Sequence, residues 1–155
     1  MDLFLSLPIK YRNTMKVRCK IFDNTKAKFK EVTLIVDTGA STTSLAKNLI
    51  AGRLGYTSFT KGATKKRTAT GLQYFDTTTL SRIEIGGEFA FSDIPIDILD
   101  WEDSSFAGVI GMDILSQLHF HSDTQILRIQ NKPFNFEEEQ SKLTPVNFMP
   151  GRKKQ

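Results

Sequence analysis

Asp37-Thr38-Gly39 is the segment of this chain whose residue types and order could do chemistry. A carboxylate can take up or release a proton and so act as general base or acid towards water. The hydroxyl beside it can bond back to main-chain groups. The glycine after that lets the backbone turn sharply and lets a second backbone come close. Alone the triplet is weak: at average residue frequencies a chain of this length contains it by chance in roughly a few per cent of cases. Its position strengthens it. It follows Val32-Thr33-Leu34-Ile35-Val36, a nearly continuous apolar run of the kind that forms a buried strand. An acid at the end of a buried strand has to be accounted for, because burying an unpaired carboxylate is costly.

Other elements must hold that acid in place, and the pattern around it is mostly strand. Met15 to Ile21 alternates apolar and polar residues, and Asp23-Asn24 starts a turn. Residues 44 to 51 read as a short helix or turn, capped by Ser44 and stopped by Gly52. Residues 56 to 71, rich in Thr, Gly, Lys and Arg, read as an exposed hairpin or loop. Leu80 to Ile85 runs as a strand into the turn Gly86-Gly87, and Phe89 and Phe91 alternate after it. Ile94, Ile96 and Ile98 alternate with Pro95, Asp97 and Leu99, a strand in which Pro95 argues for an edge or irregular position. A polar loop over 100 to 105 precedes the short apolar strand Gly108-Val109-Ile110-Gly111. Met112, Leu115 and Leu118 then fall at helical spacing, and Gln125 to Ile129 is the last clear strand. Many short strands, turns at regular spacing and few helices predict a small all-β barrel or sandwich, with no internal repeat.

Three of these segments carry a resemblance. Leu34-Ile35-Val36-Asp37-Thr38-Gly39-Ala40-Ser41 resembles the active-site strand and loop of retropepsin-like aspartic proteases. Thr68-Ala69-Thr70-Gly71 is similar to the flap tip of cellular and bacterial members, and Gly108 to Leu115 is similar to the strand and following helix near the end of their domain. The likeness covers roughly residues 15 to 130, with the segments in the family's order. It implies an all-β, small closed acid-protease barrel with one short C-terminal helix. It divides the chain into an N-terminal extension (1–14), the protease-like domain (15–130) and a polar C-terminal tail (131–155).

The resemblance also implies a mechanism. Two aspartates, one from each of two copies of the chain, would meet across a dimer axis. It is an established property of such pairs that carboxylates about 3 Å apart cannot both ionise and so share one proton. One acts as general base on water, and the other polarises the scissile carbonyl. Asp37 would be catalytic; Thr38, Gly39, Ala40 and Ser41 would support the loop; Thr68, Ala69, Thr70 and Gly71 would form a flap over an extended peptide or protein substrate; Val109, Ile110 and Gly111 would floor the site. No metal and no cofactor are implied. Viral members carry an acid and an Arg where this chain has Ser41 and Met112, so the whole ion pair is missing and the likeness is to cellular or bacterial relatives. Pepsin-type enzymes hold two Asp-Thr/Ser-Gly motifs in one chain. Here Asp76 is followed by Thr77-Thr78 and Asp123 by Thr124-Gln125, so the second carboxylate is expected from a homodimer.

Composition adds bounds. The 155 residues suit one domain, with twelve Phe and three Tyr against one Trp. A net charge of +4 is too mild to argue for nucleic acid. The single Cys19 permits no internal disulfide and reads as a small buried hydrophobe. The first eight residues lack the pattern of a signal peptide and no apolar stretch reaches membrane length, so a cytoplasmic location with no membrane partner is expected. His119 and His121 share a strand face without further ligands for a metal. Lys61, Lys65, Lys66 and Arg67 read as a solvated basic face, with aromatics not interleaved as nucleic-acid stacking would require. Asp76, Asp97, Asp113 and Asp123 are expected to serve turns, caps or surface. The alternative to a peptidase is a non-catalytic module of the same fold that dimerises or binds peptide.

Overall fold

The alternation in Met15–Phe22 buries Val17, Cys19 and Ile21 and leaves Lys16 and Arg18 outside, so one strand face becomes core and the other surface. The computed structural model describes residues 4–8, 15–100, 107–122 and 126–134. The strands are β1 (Phe4–Pro8), β2 (Met15–Phe22), β3 (Phe29–Val36), β4 (Ser44–Ala46), β5 (Thr60–Thr68), β6 (Gly71–Ile85), β7 (Phe89–Leu99), β8 (Gly108–Ile110), β9 (His119–Ser122) and β10 (Ile126–Gln130). A π-helical turn over Asn48–Arg53 and a short helix α1 (Met112–Leu115) complete the described elements.

β2, β3, β8, β4, β7 and β6 pair in that order, and β6 pairs back onto β2 through Cys19 opposite Ile85 and Ile21 opposite Ile83. The sheet therefore closes into a small barrel and removes its own edges. β5 extends outward from β6 as a hairpin. A separate antiparallel sheet has the order β1-β10-β9. Inside the barrel Ile21, Leu34, Leu45, Leu80, Ile83, Ile96, Ile110 and Ile114 are fully buried. Each such side chain contributes about 1.5–3 kcal/mol of apolar transfer. The fold is all-β with a closed barrel and very little helix, as the strand count and spacing predict.

β6 changes character along its length. Leu80 to Ile85 alternate into the barrel core, whereas residues 71 to 79 are exposed or half-buried and run out into the hairpin. The turn at Asp23 forms as its residue types demand. The Asp23 carboxylate accepts the Thr25 N–H at 3.1 Å and the Thr25 hydroxyl at 2.8 Å, and the Thr25 hydroxyl leads these contacts in holding the carboxyl below its usual range. Pro95 lies in β7 opposite Thr79, before β4 joins β7 at Asp97, so its missing N–H interrupts no ladder on that side.

Two sequence expectations differ. Ser44 caps no helix: Ser44-Leu45-Ala46 is a strand held between β8 and β7, and the helical turn begins after Lys47 and runs through Gly52 to Arg53. Pairing on both sides outweighs the weak local preference of a three-residue segment. The helix expected over Met112 to Leu118 ends at Leu115, after which Gln117 and Leu118 donate to Ile114 and Leu115 in tighter turns. The expected loop over 100 to 105 lies outside the described residues except for Asp100, and the tail beyond 134 lies wholly outside them.

Candidate active site

β3 runs parallel to β8, with Ile35 beside Val109 and Val36 beside Ile110. The first residue beyond β3 is Asp37, and its N–H donates to the Ile110 carbonyl at 3.0 Å, which carries the pairing one step further. The chain then turns within its own loop. The Gly39 N–H donates to Asp37 Oδ1 at 2.9 Å, and the Ala40 N–H donates to the Asp37 carbonyl at 3.2 Å. A Cβ on Gly39 would stand 3.2 Å from Asp37 Oδ1, tight against the same carboxylate. The acid sits at the end of a strand that buries Leu34 and Val36 on one face and leaves Thr33 exposed and Ile35 half-buried. The strand is thus half-buried where the sequence suggests full burial, and Asp37 is exposed, as are Thr38 and Gly39. Nothing among the described residues buries Asp37.

The loop after Gly39 is sewn to the segment after β8. Met112 N–H donates to the Ala40 carbonyl at 2.8 Å and Asp113 N–H to the Ser41 carbonyl at 3.2 Å. Gly111 N–H donates to the Thr43 hydroxyl at 3.1 Å. Thr43, fully buried, donates its N–H and its hydroxyl to the Asp113 carboxylate at 3.0 and 2.8 Å. Ala40-Ser41 and Met112-Asp113 are thus joined through main-chain bonds, Met112 to Ala40 and Asp113 to Ser41, where the family's viral members would place a side-chain ion pair. Gly111 is required by this approach: a Cβ there would fall 2.5 Å from the Thr42 carbonyl carbon. Ile110 and Gly111 are buried and Val109 half-buried, directly beside the Asp37 strand end.

A carboxylate presented on a braced loop between two parallel strand ends, followed by Thr-Gly, is an acid-protease arrangement. Residues 17–114 match the family model for aspartyl protease. The chain belongs to the aspartyl protease family. Its fold matches the crystal structure of a retropepsin-like aspartic protease from Rickettsia conorii, with a TM-score of 0.63 and 21% identity over 84% of this chain and 92% of that one. That likeness shows the fold as retropepsin-like. No curated protein matches the chain.

In this aspartyl protease fold, Thr68, the last residue of β5, pairs with Gly71, the first of β6, with Ala69 and Thr70 as the turn between them. The four residues form the tip of the β5–β6 hairpin. At its base the Asp76 carboxylate accepts the Gly62 N–H at 2.9 Å and pairs with Lys61 at 3.1 Å. The Gly62 bond, then the Lys61 bond, hold the Asp76 carboxyl below its usual range. The hairpin also sets Tyr74 opposite Lys65 and Leu72 opposite Arg67, so a base and an aromatic do stand side by side across the strands, a neighbourhood that linear spacing hides.

Two of the acids assigned to turns or surface do more than that. Asp97 is buried, 2% exposed, and its Oδ2 accepts the Thr42 hydroxyl at 2.7 Å and pairs with the Lys66 ammonium. Lys66 also bonds Thr42. Lys66 therefore leaves the solvated basic face on which Lys65 and Arg67 remain. Asp113 is the clamp on Thr43. The signal for Asp97 was present in the sequence as an acid set among Ile96, Ile98 and Leu99, a strand apolar enough to be covered on both faces. Asp123 lies outside the described residues. Among the described residues no group of three or more His, Cys, Asp or Glu side chains converges as a metal site would, and His121 instead packs its ring 5.8 Å from Phe134. No helix among them is long and apolar enough to cross a membrane.

Proposed function

We propose that this chain is an aspartic endopeptidase active as a homodimer, in which water is activated between two Asp37 carboxylates to hydrolyse a peptide bond in an extended peptide or protein. The observation that carries the reading is the division of labour among the acids near the loop. Asp113 is taken up by Thr43 and the Ile114 N–H, and Asp97 by Lys66 and Thr42. Among the described acids near the loop, Asp37 is the one that is exposed at the strand end. A second copy of the same loop supplies the missing partner acid. The shared proton makes one carboxylate the base for water and the other the acid that polarises the carbonyl. Thr68 to Gly71 close over the substrate, which lies along the hairpin as an added strand. The same reading places the enzyme in the cytoplasm, where a lone free thiol such as Cys19 is ordinary.

The test is cleavage of a peptide library at several pH values by wild type and Asp37→Asn. The wild type is expected to cut and the folded variant to be inactive. Equal turnover by the two removes Asp37 from the chemistry. A folded wild type that binds peptide but cuts nothing at any pH marks a non-catalytic module.

A further inference from the structure

We infer that Lys66 is a positioning residue, which fastens the β5–β6 hairpin to the active-site loop through the buried carboxylate of Asp97. The inference rests on the reading that this hairpin covers the substrate at Asp37.

Three elements meet at one point. Lys66 comes from β5, Asp97 from β7, and Thr42 from the loop that begins at Asp37. The strand period separates Lys66 from its neighbours. Lys65 and Arg67 are exposed, while Lys66 shares the opposite face with Phe75, whose ring centroid lies 5.6 Å from the ammonium. That face is turned to the barrel, since the Lys66 ammonium reaches Asp97 and Thr42.

Among the described residues the hairpin has two ionic contacts, Lys61 with Asp76 and Lys66 with Asp97, and burial decides which of them holds it. Lys61 and Asp76 are exposed at 76% and 31%, so water and salt screen the pair and it contributes little. The Lys66 and Asp97 side chains are exposed at 24% and 3%. Among the described residues, withdrawing the ammonium would leave the Asp97 carboxylate buried with the Thr42 hydroxyl as its remaining partner, and an uncompensated buried charge is strongly unfavourable. Opening the hairpin at Lys66 therefore carries that penalty, whereas opening at Lys61 does not. Lys66 pairs with Gln73, so the fixed point divides the hairpin. Residues 67 to 72, including the tip, lie beyond it. Gly62, at φ 56° beside the register shift between Thr60 and Thr64, lies behind it. The stem is held at Lys66, and the distance from stem to Asp37 is set by a contact to Thr42 in the Asp37 loop itself.

The experiment compares Lys66→Met, Lys66→Arg, Asp97→Asn and the double variant Lys66→Met/Asp97→Asn in the full chain. Amide hydrogen exchange reads the hairpin and the barrel separately, and peptide turnover reads KM and kcat. Lys66→Met is expected to speed exchange in residues 63 to 66 and 73 to 76 by about tenfold or more, leaving β2 and β3 unchanged. It is expected to raise KM by about tenfold with kcat within about threefold, because a loose hairpin binds substrate less well without altering the acids. Lys66→Arg restores both. The double variant is no looser than either single variant, since the charge that Lys66 neutralises is gone. Should Lys66→Met fail to fold, wild type is compared with the double variant, which leaves no buried charge. Hairpin exchange unchanged by removing the ammonium, Lys66→Arg as loose as Lys66→Met, or equal loosening of β2 and β3 each overturns the inference. If wild type cuts no peptide, the protease reading fails by itself and the exchange comparison still decides the role of Lys66.

Discussion

Thr43 and Asp113, seventy residues apart in the chain, are joined by both of Thr43's donors: its N–H reaches both carboxylate oxygens at 3.0 Å and its hydroxyl reaches Oδ1 at 2.8 Å. The same hydroxyl accepts the Gly111 N–H at 3.1 Å, so Thr43 fixes the segment after β8 while Asp113 fixes Thr43. Asp113→Ala leaves both donors of the fully buried Thr43 without their carboxylate acceptor. It should cost about 2–4 kcal/mol by urea denaturation, with Asp113→Asn costing about half of that because one acceptor oxygen remains. A loss below about 0.5 kcal/mol for Asp113→Ala would mean that the clamp does not hold the loop.

Gly111 and Gly52 make opposite predictions from the same substitution. An alanine Cβ at 111 would meet the Thr42 carbonyl carbon and oxygen at 2.5 and 2.6 Å, and both are backbone atoms that cannot rotate away. Gly111→Ala must displace the loop that carries Asp37 and should cost about 3 kcal/mol, the upper range for overpacking. At Gly52, inside the π-helical turn, a Cβ meets nothing within 4 Å. Gly52→Ala should stabilise by about 0.4–1 kcal/mol by restricting the unfolded chain. Thermal denaturation of the two variants decides both.

The barrel was legible where burial is periodic. β2 alternates, β3 and β8 are short apolar runs, and the Gly86-Gly87 turn sits where the sequence ends a strand. The Asp-Thr-Gly triplet marked the loop because residue types and order carry that information locally. Asp97 was misread because alternation with Ile96 and Ile98 predicts an outward side chain. The structure buries residues 96 to 99 together, since β4 joins β7 there and the Lys66 side chain closes over it. β4 was not legible because three residues carry too little pattern, and its strand form comes from the ladders on either side. The Thr43–Asp113 clamp was hidden for a related reason: no spacing rule joins residues that only the closed barrel brings together.

Cys19 points into the barrel, 1% exposed, and its thiol bonds the Val17 carbonyl at 3.7 Å. Burial pushes it from 9.0 up to about 12. The thiolate is the reactive form, so folded protein at pH 8 should take up no iodoacetamide, while protein in strong denaturant is alkylated fully. The linkage has a definite sign. The folded value lies above the unfolded one, so this contribution to stability is complete below pH 9 and is lost as pH rises from about 9 towards 12, where the unfolded chain ionises first. Cys19→Ala should remove that alkaline slope, and urea midpoints from pH 8 to 11 check it. Rapid alkylation of folded protein would show Cys19 to be accessible.

Assembly offers the most direct test of the shared site. Each chain presents one exposed Asp37, and the acids near its loop are bound to Lys66 and Thr42 or to Thr43. Two copies of one loop bring identical carboxylates together only about a two-fold axis, which makes the interface isologous. Specific activity should then fall on dilution below the dimer dissociation constant, in step with the loss of dimer seen by sedimentation. Mixing one part of wild type with about nine of Asp37→Asn should leave roughly one tenth of the wild-type chains in active pairs, because random exchange places most of them in heterodimers with a single working acid. Activity per wild-type chain should drop about tenfold, whereas adding the same mass of an inert protein should change nothing. A monomer by sedimentation that keeps full specific activity, or a mixture that keeps full activity per wild-type chain after exchange, would require the second acid to come from within one chain.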